Sequence, residues 1–197
     1  MFIKLLENQT VQHYINKCLS NNWIGTPWEQ YPLLGAKQKG GMGEMLVEMM
    51  LKDHGNDVES PTNPGHDRRV NKKKIEIKFS LANSNSKKDG RLIDPDSFTF
   101  NHIGLEKDWE ILLLVGVNPD EDNPNIRQSD HTGWTSTRVF YAYKKDLVKH
   151  MQSQSPVLKR QQGGKKGTND DYILAGRNGF LNFVKLPFVN EYKGGKL

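Results

Sequence analysis

Gly65-His66-Asp67-Arg68-Arg69-Val70-Asn71-Lys72-Lys73-Lys74-Ile75-Glu76-Ile77-Lys78 decides how the rest of this 197-residue chain is read. Side chains alternate between the two faces of a strand. Glu76 and Lys78 therefore leave one side of Ile75-Glu76-Ile77-Lys78-Phe79, while Ile75, Ile77 and Phe79 fill the other. Arg68-Arg69-Val70 supplies an antiparallel partner if Asn71-Lys72 is a two-residue hairpin turn, and that register sets Asp67 opposite Glu76. Residues so paired have β-carbons about 5 Å apart, close enough for two carboxylates to share one hard divalent cation. A slip of one residue would send every side chain to the wrong face. The competing structural reading is a surface salt-bridge cluster, Glu76 with Arg69 or Lys74, of the weak and common kind.

Upstream, Lys37 to Gly43 is rich in glycine and basic residues and is expected to be a loop, with Lys39 able to meet a phosphate at a helix N-terminus. A helix follows over Gly43 to His54, with Gly55 as its C-terminal glycine. Met42, Met45, Leu46, Met49 and Met50 form an apolar stripe expected to fill the core. Glu44 lies in line with Val47 and Leu51, apart from Glu48 and Lys52, which are expected in solvent. It faces the carboxylate site or serves as an acid favoured by the helix dipole. Asp57 to Ser60 reads as a first strand.

The helix acid Glu44, then Asp67, then Glu76-Ile77-Lys78 as an E-x-K element, resembles the PD-(D/E)XK nuclease superfamily. His66 stands where the name-giving proline often sits, with Pro64 nearby. The resemblance implies an α/β fold with a restriction-endonuclease-like core, a central mixed β-sheet flanked by helices. It also implies Mg²⁺, with Mn²⁺ able to substitute, held by Asp67, Glu76 and the carbonyl of Ile77. Glu44 would position a water or second cation, and Lys78 the attacking water. Further on, Phe100-Asn101-His102-Ile103, the pair Trp109-Glu110 and the apolar run Leu112 to Val117 ending in Asn118-Pro119-Asp120 resemble type II restriction endonucleases. Cleavage of double-stranded DNA at a short specific sequence, by a homodimer leaving 5′-phosphate and 3′-hydroxyl ends, is what that implies. The alternatives from other classes are a structure-specific nuclease resembling Holliday-junction resolvases, a non-catalytic DNA-binding module of the same fold, and a basic RNA- or ribosome-binding protein.

The totals agree with a polyanionic partner. The formal charge is +5 and the pI about 9.2, a modest excess that suits nucleic acid without demanding it. Lys87, Lys88 and Arg91 sit in a polar loop suited to phosphate contacts. The segment Lys159-Arg160-Gln161-Gln162 through Lys165-Lys166 to Asp170 has the composition of a mobile basic loop, and Gln161 and Gln162 carry the donor–acceptor pairs that adenine edges need. Asn101 and His102 approach DNA or open a helix buried beside the sheet. Trp23 and Trp28 are read as buried loop anchors, with stacking on bases as the alternative.

The remaining pattern gives an N-terminal helix from Leu5 to Leu19, a buried strand over Trp109 to Val117, a strand over Arg138 to Tyr143 and a helix over Lys144 to His150. Tyr172 to Ala175 and Phe180 to Val184 read as strands joined through Gly176 to Gly179. The whole is expected to be one domain, with residues 1–36 and the basic loop 159–170 as elaborations. No apolar run is long enough to cross a bilayer, and Met1 to Glu7 lacks the form of a signal peptide. The chain is therefore expected in the cytoplasm, with the lone Cys18 reduced.

Overall fold

The computed structural model describes residue 23 and residues 28–83, 93–118, 137–153, 156–161 and 171–197. Leu5 to Leu19, Cys18, Lys87, Lys88, Arg91, Gln162, Lys165 and Lys166 lie outside these residues.

A six-stranded mixed sheet forms the centre, in the order β1 (Val58–Glu59), β2 (Arg68–Val70), β3 (Lys73–Leu81), β5 (Ile111–Val117), β6 (Thr137–Tyr143), β9 (Val189–Glu191). β3 and β5 run parallel and the other neighbours antiparallel. A second, antiparallel sheet has the order β4 (Thr99–Gly104), β8 (Asp171–Ala175), β7 (Lys159–Arg160). The α/β architecture is thus the one expected, a central mixed sheet with helices on both faces.

Period-two alternation divides the apolar residues of β5 between two cores, and every residue of that strand is buried. Ile111, Leu113 and Val115 join Ile75 and Ile77 of β3 on one face. There Val47 and Leu51 of α1 (Ala36–Asp53) cover them. Leu112 and Leu114 face the other way, onto Leu147 of α2 (Lys144–Met151), Phe180 and Phe183 of α3 (Gly176–Val184), and Phe100 and Ile103 of β4. Gly116 admits the Phe98 ring, which would come within 2.4 Å of a β-carbon there. Trp23 is buried and Trp28 packs on Phe79, as loop anchors should.

Five expectations are corrected. α1 begins at Ala36, not Gly43, so Lys37 to Gly43 is helix and not loop. Gly43 is needed inside it because a β-carbon would lie 2.5 Å from Phe79 Cβ, and the close approach of helix to strand outweighs the poor helix propensity of glycine. The methionine stripe is not the buried one: Gly43, Val47 and Leu51 face the sheet, while Met45 and Met49 are 52% and 57% exposed. Phe180 to Val184 is helix, since Phe180 and Phe183 at i, i+3 reach one core and Gly176, at φ +75°, turns the chain into it. Asn101 and His102 open no helix; they sit exposed on β4, where the pairing with β8 shifts between Phe100 and Ile103 and His102 has φ +56°. Lys159 and Arg160, assigned to a mobile loop, pair with Tyr172 and Ile173 as β7.

Candidate active site

The β2–β3 hairpin is built by its turn. Asn71 and Lys72 both adopt positive φ, 48° and 71°, the left-handed pair whose twist matches that of the flanking strands. The register follows as expected, Val70 with Lys73, Arg69 with Lys74 and Arg68 with Ile75. Pairing stops one step short of Asp67 and Glu76. Asp67 N–H donates to the Ile75 carbonyl at 2.9 Å, and its carboxylate Oδ2 accepts from Ile77 N–H at 2.7 Å. A side chain thus takes the place of the strand that β2 does not continue. A residue's N–H and C=O point to the same edge of a strand, so the Ile77 carbonyl also faces the side where Asp67 lies. His66 is buried behind it, its Nε2 accepting from Thr62 N–H at 3.3 Å.

Glu76 is only 1% exposed. Its Oε1 meets Lys78 Nζ at 2.8 Å, as alternation on β3 requires, and also Lys107 Nζ at 3.0 Å. The salt-bridge partners named as alternatives are engaged elsewhere, Arg69 with Glu59 and Lys74 with Asp108. Burial pushes the Asp67 carboxyl up to about 6, and the charge of Glu76 adds to the shift. The Ile77 N–H opposes it, Glu44 raises it further and Lys78 lowers it. Two carboxylates held close in a low-dielectric place repel each other, which is the electrostatic condition for capturing a cation.

Glu44 sits midway along α1, not at its N-terminus, and lines the same cleft as Asp67, Ile77 and Lys78. Its Oε2 is held by Arg68 at 3.0 Å, and the same guanidinium takes Glu48 at 2.7 Å. Glu48 is therefore not a solvated residue of the far face; it pairs with both Arg68 and Lys52, and those hydrogen bonds lower its carboxyl below the usual range, Lys52 contributing most. Arg68 ties α1 to the hairpin and fixes the distance between Glu44 and the Asp67 backbone.

The cleft measures about 800 Å³ and runs from these residues past Tyr31, Phe79 and Phe100 to Asn101 and His102. Lys39 lies on its wall, near the Tyr31 ring. Asn101 is exposed at its far end. Gln161 is not free to read a base edge, because its Oε1 accepts from His102 N–H at 3.1 Å; the His102 ring in turn pairs with Asp171 at 2.7 Å. Lys159 and Arg160 are exposed on β7. Two residues that matter here, Arg68 and Lys107, carry no motif. Lys107 reaches Glu76 from 31 positions away, a contact that only the parallel pairing of β3 with β5 creates.

Among the described residues no three His, Cys, Asp or Glu side chains converge as a ready metal cage. Asp67 and Glu76 with the Ile77 carbonyl could supply instead a sparse, all-oxygen set. Such a set suits Mg²⁺, which keeps several waters and uses one or two carboxylates. No helix of the described residues is long and apolar enough to cross a membrane. No known protein-family model and no curated protein matches the chain. Among solved structures, a restriction endonuclease in complex with substrate DNA is similar over 97% of this chain and 88% of that one, at 15% identity and a TM-score of 0.44.

Proposed function

We propose that this chain is a Mg²⁺-dependent endonuclease of the type II restriction class, a homodimer that hydrolyses double-stranded DNA at a short specific sequence and leaves 5′-phosphate and 3′-hydroxyl ends. The observation that carries the reading is that Asp67 and Lys78 line one end of a cleft with basic and amide side chains along it, while the buried Glu76 lies directly beneath, paired with Lys78 and acting by its charge on Asp67.

Asp67, Glu76 and the Ile77 carbonyl would hold the ion, which when bound stabilises charge on the phosphoryl oxygens and lowers the pKa of a coordinated water. The chain's own groups do the rest. Lys78, 17% exposed and opening into the cleft, donates to the attacking water or to a phosphate oxygen and offsets the negative charge that grows in the transition state. Glu44 orients a water on the opposite wall, with Arg68 fixing its carboxylate. Trp23, Tyr31 and Phe79 give that wall an apolar lining that excludes bulk water. Lys39 and Asn101 hold the DNA along the cleft, and Lys159 and Arg160 add sequence-independent phosphate contacts.

Incubation of supercoiled plasmid with the protein and Mg²⁺ tests the reading. Discrete fragments with constant ends are expected. Cutting confined to four-way junction DNA would replace the proposal by a structure-specific nuclease. DNA bound but intact in both Mg²⁺ and Mn²⁺ would replace it by a non-catalytic module.

A further inference from the structure

Glu76 Oε1 receives two ammonium groups, and the hydrolytic reading uses only one. Lys78 faces the cleft, where an arriving phosphate can draw it away from Glu76. Lys107 is not part of the cleft wall. It approaches from the turn between β4 and β5, and its position is built into the fold. Its stem lies along Gly104, where a β-carbon would come within 3.0 to 3.1 Å of Lys107 Cγ, Cδ and Cε. Its N–H donates to the Gly104 carbonyl at 3.3 Å, and its own carbonyl accepts from Trp109 N–H at 3.1 Å and from Lys144 Nζ. Gly104 is held in turn by the Trp109 indole N–H at 2.7 Å. A surface lysine meeting a carboxylate by chance has no such seat.

We propose that Lys107 is a resident cation that competes with divalent ions for Glu76, setting how much free ion the site requires before it loads. The inference rests on Asp67 and Glu76 being the cation-holding pair. An ammonium 3.0 Å from a ligand oxygen occupies one of its lone pairs and repels an incoming dication. Being seated outside the cleft, it is not displaced by substrate as Lys78 is. Its effect therefore persists in free and DNA-bound protein alike.

The test is a titration of the full chain with Mn²⁺ alone, free ion being followed by electron paramagnetic resonance at neutral pH. Lys107→Met keeps the stem on Gly104 and removes the charge; Lys107→Gln is the second neutral variant, checked like the first by far-ultraviolet circular dichroism. Both are expected to bind Mn²⁺ roughly fivefold more tightly than wild type, the effect of one partly solvated charge pair. Lys107→Arg, which restores the charge, is expected to return to the wild-type affinity. Equal or weaker binding in the neutral variants, with wild-type binding still dependent on Asp67, overturns the role of Lys107 and leaves the metal site standing. Wild-type binding that survives Asp67→Asn, or no Mn²⁺ binding at all, overturns the metal site itself and this inference with it.

Discussion

Asp67→Asn removes one charge and keeps an oxygen for the Ile77 N–H, so it isolates the electrostatic strain of the site. The folded chain releases the Asp67 proton near 6, while the unfolded chain releases it near the ordinary 3.8. Below about pH 4 both states hold the proton and Asp67 costs nothing. Between those values the folded state binds more protons than the unfolded one, so stability falls as pH rises through the window and levels off above it. A shift of this size corresponds to about 3 kcal/mol. Asp67 keeps partial contact with water, and screening reduces the figure to about 1–2 kcal/mol. In EDTA at pH 7.5 the Asn variant should therefore be the more stable protein, with a Tm roughly 3–6 °C higher for a chain of this size. The gap should close as the pH is lowered to about 4. Scanning calorimetry of both proteins from pH 4 to 8 measures it. An Asn variant no more stable than wild type at pH 7.5, or a gap that widens toward acid, would refute the reasoning that burial, with the charge of Glu76 added to it, strains the Asp67 carboxylate.

Two more consequences come from the packing and charge of α1. Gly43→Ala places a methyl group 2.5 Å from Phe79 Cβ and should destabilise the protein by about 2–3 kcal/mol in urea titration; unchanged stability would mean that α1 can move off β3 freely. Lys39→Ala should weaken DNA binding evenly across sequences and lower the slope of log affinity against log salt by about 1, and an unaltered slope would remove Lys39 from the phosphate contacts.

The hairpin that carries the candidate site was legible in the sequence because its geometry is local. Asn71 favours the turn by its tolerance of the left-handed region and Lys72 follows it there, the turn fixes the register, and a period of two places Glu76 and Lys78 on one face. The errors have local causes as well. Gly40, Gly41 and Gly43 argue against helix one residue at a time, yet the helix runs through them because Gly43 must lie on Phe79. Gly176 to Gly179 imitates a hairpin turn, and Phe180-Leu181-Asn182-Phe183-Val184 suits either period; burial of Phe180 with Phe183 decides for helix. In α1 the methionines keep helical spacing as well as Val47 and Leu51 do, but Val47 and Leu51 are the ones buried. Arg68 on Glu44 and Lys107 on Glu76 could not be read at all, since each contact joins elements that only the finished sheet brings together.

The most direct measurement is the single-turnover rate of cleavage of a target DNA in Mg²⁺ by wild type, Glu76→Gln and Lys78→Met, with binding of the same DNA measured in Ca²⁺. The account predicts binding close to that of wild type in both variants and cleavage slower by at least roughly 100-fold, the scale on which loss of a transition-state contact is felt. Cleavage at the wild-type rate by either variant would contradict it.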